Sequence, residues 1–267
     1  MLWAGQRLGE AVLTKATGGT RHMENAQLIG LSRQIALKHQ MSVVANNVAN
    51  VNTTGYKSQS LMFEEYVMPV ASHNDFAFGD QPLSYTHDWA TANDFTGGAI
   101  TQTGNFLDIA LQGDGFLAIE TPAGERYTRD GSLKIDNTGL LVDKNGYPVL
   151  SQGGQIRFSP EETDIQFNED GSILTSEGNK GFLRIVEFDQ PQALVREGAN
   201  LYSGGDPIIS TTTSVMQGAI ERSNVSGVIQ IAEMIRVNRS YQSIAQMMQR
   251  QDELRKNAIG VLGNPSA

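Results

Sequence analysis

The chain has 267 residues, enough for one large core or two small ones on a rough prior of about 150 residues per domain. It contains no cysteine, which excludes disulfides, thiolate metal sites and cysteine nucleophiles together. A net charge of −9 argues against a nucleic-acid binder, since such proteins need a basic footprint.

The charge is unevenly spread. Residues 61–217 hold 8 Lys/Arg against 23 Asp/Glu, a net −15, between flanks of +4 and +2. An acidic middle between mildly basic ends points to two structural regimes in one chain. No apolar run approaches the roughly 18 to 20 residues that cross a membrane, so no direct membrane span is expected. Met1 to His22 opens with Leu2, Trp3 and Ala4, but Arg7 and Glu10 interrupt it before an apolar signal-peptide core of about 7 to 15 residues can form. Met23-Glu24 reads as the natural beginning, with residues 1–22 a tag remnant or an upstream extension.

Glu24 to Val51 reads as one long helix. Leu28, Leu31 and Ile35 form one apolar stripe; Leu37, Met41, Val44, Val48 and Val51 form a second, displaced by about half a turn. The opposite side of the helix end carries Asn46, Asn47, Asn50 and Asn52, poor helix formers whose amides compete for nearby backbone groups. Another interaction must want those amides. Thr53, Thr54 and Gly55 end the helix, with Gly55 supplying the left-handed turn, and Tyr56 and Lys57 open a new segment.

Residues 58–99 show no sustained periodicity and mix prolines and glycines with scattered aromatics, which reads as an irregular segment ordered by assembly. His73 and His87 fall here without a matching carboxylate pair, so no metal site is expected. From residue 100 to 217 the pattern becomes short alternating strands, among them Leu107-Ile109-Leu111 and Phe182 to Phe188. Asp130-Gly131, Thr138-Gly139, Asn145-Gly146, Gly153-Gly154 and Asp170-Gly171 punctuate them as hairpin turns of a β-rich outer domain. Calcium would need loops that the sequence lacks.

A second long helix is predicted from Asn224 to Val261. Ile231, Met234, Tyr241, Ala245 and Met248 fall at 3–4 spacing, with Asn238 in the same stripe. The expected fold is therefore α+β. Residues 23–57 and 218–262 pair as terminal helices in a discontinuous coiled-coil domain, with the irregular segment and a mainly antiparallel all-β domain inserted between them. Burying an aliphatic side chain fully is worth roughly 1.5 to 3 kcal/mol, so each stripe needs cover. A two-helix pair leaves its outer sides bare, which calls for copies or sister chains, and a head-to-tail contact that does not close gives a filament. Asn238 would set register against a wrong neighbour at a cost in stability.

Catalysis finds little support. The phosphate-loop, nucleophile-elbow and H-E-x-x-H patterns are absent, and no cofactor is expected. Asp108, Asp114, Glu120 and Asp130 are the carboxylates from which a sugar-cleaving pair would have to come. A β-rich binding module with dispensable helical tails is a third reading.

Three blocks carry a resemblance. Ala45 to Lys57 (A-N-N-V-A-N-V-N-T-T-G-Y-K) resembles the N-terminal signature of the bacterial flagellar rod and hook proteins over thirteen consecutive positions. L-D-I-A-L-Q-G-D-G-F, Y-T-R-D-G-S-L and G-L-L-V-D-K-N-G-Y-P-V-L, between Leu107 and Leu150, resemble that family's middle. Gly218 to Val225, with Glu221, Ser223, Asn224 and Val225, is similar to its C-terminal motif; Ser226 and Asn238 depart from it. The resemblance implies a structural axial subunit of the flagellar rod, most like a proximal-rod member, with distal-rod members the near alternative. It further implies export through the flagellar type III apparatus without a cleaved signal and assembly in the periplasm with copies and other rod proteins. The work would be torque transmission and lining of the export channel.

Overall fold

The structure is a computed structural model; it describes the backbone of residues 7–67 and 84–263, and the side chains of 28–62 and 90–261. His73 lies outside the described residues, as does the side chain of His87. The described residues form two compact units. One draws on the ranges Met1–Ala45, Leu61–Thr91 and Ile231–Ala267, the other on Asn46–Ser60 and Ala92–Gln230, so the division falls inside both long helices.

The first unit contains most of helix α1 (Arg7–Ala49) and of helix α2 (Gly227–Gly263). The two helices touch: Gln40 Nε2 donates to Glu233 Oε1 at 2.9 Å, and the Met248 side chain lies against Gly30, where a Cβ would sit 3.3 Å from it. That contact accounts for a glycine inside a helix, where it costs about 1 kcal/mol relative to alanine.

The expected coiled-coil domain is not formed. Among the described residues, one α-helix precedes and one follows a mostly antiparallel β region in chain order, and their stripes do not lock along one seam. Ala36, Val44 and Val237 are buried, whereas Leu28, Leu31, Ile35, Ile231 and Ile235 stay about half exposed. The half-turn shift between the stripes explains this. A heptad seam needs one face kept over three or four heptads, and α1 changes face between Ile35 and Leu37. The segment read as irregular also contains order, because Gln59–Val67 and Ser84–Asn93 pair as a two-stranded sheet. Tyr, Trp and Thr favour the pleated strand and outweigh the missing periodicity.

The second unit is built on a six-stranded antiparallel sheet, in the order Val195–Glu197, Leu201–Ser203, Gly124–Thr128, Phe116–Thr121, Ile185–Glu187, Ile208–Ile209. The strand Phe116–Thr121 is central and has a core on each face. Leu117 and Ile119 join one cluster with Ile109, Leu141, Val149, Ile173 and Ile185. Phe116 and Ala118 join the other with Tyr127, Val186, Leu194 and Tyr202, whose rings meet edge to face at 4.8–5.9 Å alongside Phe95 and Phe188. Alternation therefore reads correctly here, but both faces are covered.

Several expected turns are hairpin turns, as between Lys134–Ile135 and Leu141–Val142 and between Leu150–Ser151 and Gly154–Gln155. Phe182 to Phe188 is not one strand: Gly178–Phe182 pairs with Ser172–Thr175, and Ile185–Glu187 enters the large sheet. The loop after Ile209 is pinned by one carboxylate. Glu187 Oε1 accepts from the hydroxyls of Ser210, Thr212 and Thr213 at 2.5–2.8 Å, and those bonds hold its pKa below the usual 4.5. A carboxylate depressed in the folded state contributes stability above its unfolded pKa and loses it as pH falls through the folded value. Glu187→Gln should therefore lose stability at neutral pH yet show a flatter decline below pH 4.5, read as urea midpoints across an acid series.

Candidate functional site

The three blocks that carry the resemblance meet in the second unit. Helix α1 ends at Ala49, and Gly55 turns the chain with φ of +62°. Its amide donates to the Glu221 carbonyl at 2.8 Å. The turn delivers Lys57 into the protein, where it is fully buried: its ammonium donates to Glu221 Oε1 at 2.6 Å and to the Thr96 carbonyl at 2.8 Å. Gly98 N donates to the same carboxylate oxygen at 2.7 Å. Arg129, also buried, faces Glu221 Oε2 at 3.7 Å and lies over the Phe116 ring at 4.9 Å.

One buried carboxylate thus answers two buried cations. Removing ions from water costs several kcal/mol each, and attraction in the interior repays it only where hydrogen bonds complete the arrangement. The balance shows in the cations. Burial pushes the Lys57 pKa down and the Glu221 carboxylate pushes back; the same opposition acts on Arg129.

The asparagines of the helix end supply the surrounding frame. Asn47 Nδ2 donates to the Gln59 carbonyl at 2.8 Å and to Gln230 Oε1 at 3.3 Å, while its Oδ1 accepts from Gln59 N at 3.0 Å. The Tyr56 hydroxyl lies 3.0 and 3.2 Å from the amide oxygens of Asn46 and Asn47, and the Arg196 guanidinium sits 4.0 Å over its ring. Asn50 Nδ2 donates back to the Asn46 carbonyl, and Thr53 Oγ1 to Asn50 Oδ1. Thr54 Oγ1 donates to Asp130 Oδ1 at 2.5 Å, and its carbonyl accepts from Asn200. Asn224 accepts from Ser58 N at 2.7 Å and donates to the carbonyls of Asp94 and Thr96. Val225 is buried, Ser223 Oγ accepts from Val225 N, and Asn52 is exposed.

The residues expected to pack between subunits divide cleanly. Leu28, Leu31, Ile35, Ile231 and Asn238 are exposed; Leu37, Met41, Val48, Val51, Met234, Tyr241, Ala245 and Met248 are half-buried; Val44 is buried. The carboxylates considered for sugar cleavage are dispersed into separate structural contacts. Asp108 accepts from Thr103 and Asn105, Glu120 from Gln155, Asp130 from Thr54, and Asp114 is exposed.

Arg129 and Asp130 are the residues that sequence reasoning under-read. They stand inside the Y-T-R-D-G block, where Asp130-Gly131 is expected as a hairpin turn; instead Asp130 is buried and accepts from Thr54. The presence of that block with the two terminal signatures was the available signal.

Comparison with known proteins finds these same segments. Residues 28–57 match the flagella basal body rod protein family, 110–175 the flagellar hook protein FlgE/F/G D1 domain, and 216–261 the flagellar basal body rod FlgEFG protein C-terminal domain. The chain is 37% identical to the flagellar basal-body rod protein FlgF of Caulobacter vibrioides, covering 90% of this chain and 99% of that protein. It is 31% identical to FlgF of Mesorhizobium japonicum, over 91% of this chain and all of that one. FlgG of Bacillus subtilis is 30% identical over 87% of this chain and 97% of its own length. With the buried junction drawing one partner from each matched segment, and with this similarity running nearly end to end, the chain belongs to the flagellar basal-body rod protein family and is a structural subunit of that rod.

Proposed function

We propose that the chain is an FlgF-type axial subunit of the proximal rod, packing against copies of itself and other rod proteins through the outer faces of α1 and α2. The observation that carries this reading is the apolar side chains left half exposed at helical spacing on both helices: Leu28, Leu31 and Ile35 on α1, and Ile231 and Ile235 on α2. Scattered surface leucines need no explanation, but rows at helical spacing lose hydrophobic stabilisation until something covers them. The 37% identity to the FlgF of Caulobacter vibrioides, against 30% and 31% to the FlgG of Bacillus subtilis and of Borreliella burgdorferi, supports the proximal assignment.

On this reading the half-buried stripe, Met41, Val48, Met234, Tyr241 and Met248, serves the pair of helices, and the exposed one serves neighbours. Asn238, exposed on α2, sets the register of that contact. The subunit reaches the periplasm through the type III export apparatus without a cleaved signal, and its work there is to transmit torque and line the export channel. No described helix is long and apolar enough to cross a membrane. A photo-crosslinker at Leu31 or Ile235, activated in intact basal bodies, tests the packing. Adducts with rod proteins and with a second copy are expected, and their absence at both positions would overturn the proposal.

A further inference from the structure

The buried junction is assembled from parts of the chain that are far apart, and its polar half comes from the C-terminal end. Lys57 and Glu221 are separated by 164 positions. Glu221 accepts from Lys57 and Gly98 through its carboxylate and from Gly55 through its carbonyl; Asn224 accepts from Ser58 N; and Arg222 N donates to the Ala99 carbonyl at 2.9 Å. Take Gly218–Val225 away, and Lys57 and Arg129 would be buried beside no buried carboxylate. Of the other carboxylates that act on them, Asp94 for Lys57 and Asp114 for Arg129 are solvent-exposed, and Glu187 near Arg129 is half-buried and already accepts from three hydroxyls. Removing one partner of a buried ion pair is strongly destabilising because the other is left uncompensated.

The apolar core is different. Leu117, Ile119, Leu141, Val149 and Ile173 enclose one another, and the amides of Ala118 and Val149 bond to Arg184 and Leu141, all outside residues 218–225. Val215 belongs to that core and pairs with Leu111, so Gly218–Val225 continues from a strand the core already holds.

We propose that Gly218–Val225 is a closing key: the segments Asn46–Ser60 and Asp94–Ala99 become fully ordered only once this stretch docks, after the β core has formed. The end of α1 is then fixed only in molecules whose chain extends through Val225. This inference concerns the isolated chain and does not depend on the rod assignment.

Refolding of the full chain with pulsed hydrogen exchange tests it. Ala118 and Val149 should gain protection in one phase, and Gly55, Ser58, Gly98 and Arg222 together in a slower one. Protection of those four amides at the same time as the core, or before it, overturns the proposal. In the native state Glu221→Gln should speed exchange at Gly55, Ser58 and Gly98 on the order of 100-fold, while Ala118 and Val149 change by less than about 3-fold. The double variant Lys57→Met/Glu221→Gln, which removes one surplus cation, should recover about 10-fold of that loss. If Glu221→Gln unfolds the core along with the junction, the two are one cooperative unit and the idea of a late key fails.

Discussion

Gly55→Ala is expected to lower the stability of the β-containing unit by about 3 kcal/mol or more, from two independent penalties. The first is conformational: φ is +62°, the left-handed region, where an L-residue costs about 1 to 2 kcal/mol. The second is steric. A Cβ at this position would overlap the Arg129 carbonyl and crowd the Asp130 amide, both backbone atoms that cannot rotate away. Relief by backbone movement would stretch the Gly55 N to Glu221 carbonyl bond and pull Lys57 from its carboxylate two residues on. Gly146 provides the control, because its φ is +88° and nothing lies within 4 Å of where its Cβ would stand. Gly146→Ala should therefore show only the conformational cost, about 1 kcal/mol. Urea unfolding measures both. A Gly55→Ala midpoint no lower than that of Gly146→Ala would mean that the approach to Arg129 is not a constraint on the fold.

The contrast between these glycines marks how far the sequence could be read. That Gly55 stops a helix was legible, because local chemistry decides it. That the asparagines before it answer to another group was also legible, and Asn47 does bridge Gln59 and Gln230. Which groups they answer to was not, since Gln230 lies 183 positions away and no local pattern encodes such a separation. Lys57 is the sharpest case. A lysine after a turn reads as solvated, and only the placement of Glu221 makes its full burial tolerable. The β region was legible in its turns and alternation, but Phe116–Ile119 are buried on both faces, which alternation by itself cannot distinguish from burial on one. Two apolar stripes displaced by half a turn cannot both face one partner, which is why the expected coiled coil does not form. The register break at Ile35 and Leu37 was visible. Its consequence is that one stripe turns inward and the other is left outside.

That outward stripe makes the second large effect a functional one. Leu31→Asp combined with Ile235→Asp should abolish incorporation into basal bodies while the purified protein keeps its fold. Leu31 and Ile235 are 47% and 49% exposed, so in the isolated chain each carboxylate can stay in water and costs little beyond helix propensity. In an interface the same groups would be desolvated against apolar neighbours, where an unpaired buried charge is penalised by several kcal/mol. Two such sites per subunit, repeated along an assembly, leave no register in which the contact forms. Val237→Asp separates this from simple misfolding: Val237 is 2% exposed, and its loss should unfold the helical unit before assembly is reached. Circular dichroism and urea midpoints report the fold, and immunoblots of purified basal bodies report incorporation. If the double aspartate variant is incorporated at the wild-type level, the bare rows on α1 and α2 are surface, and the axial contacts must be sought on the β unit instead.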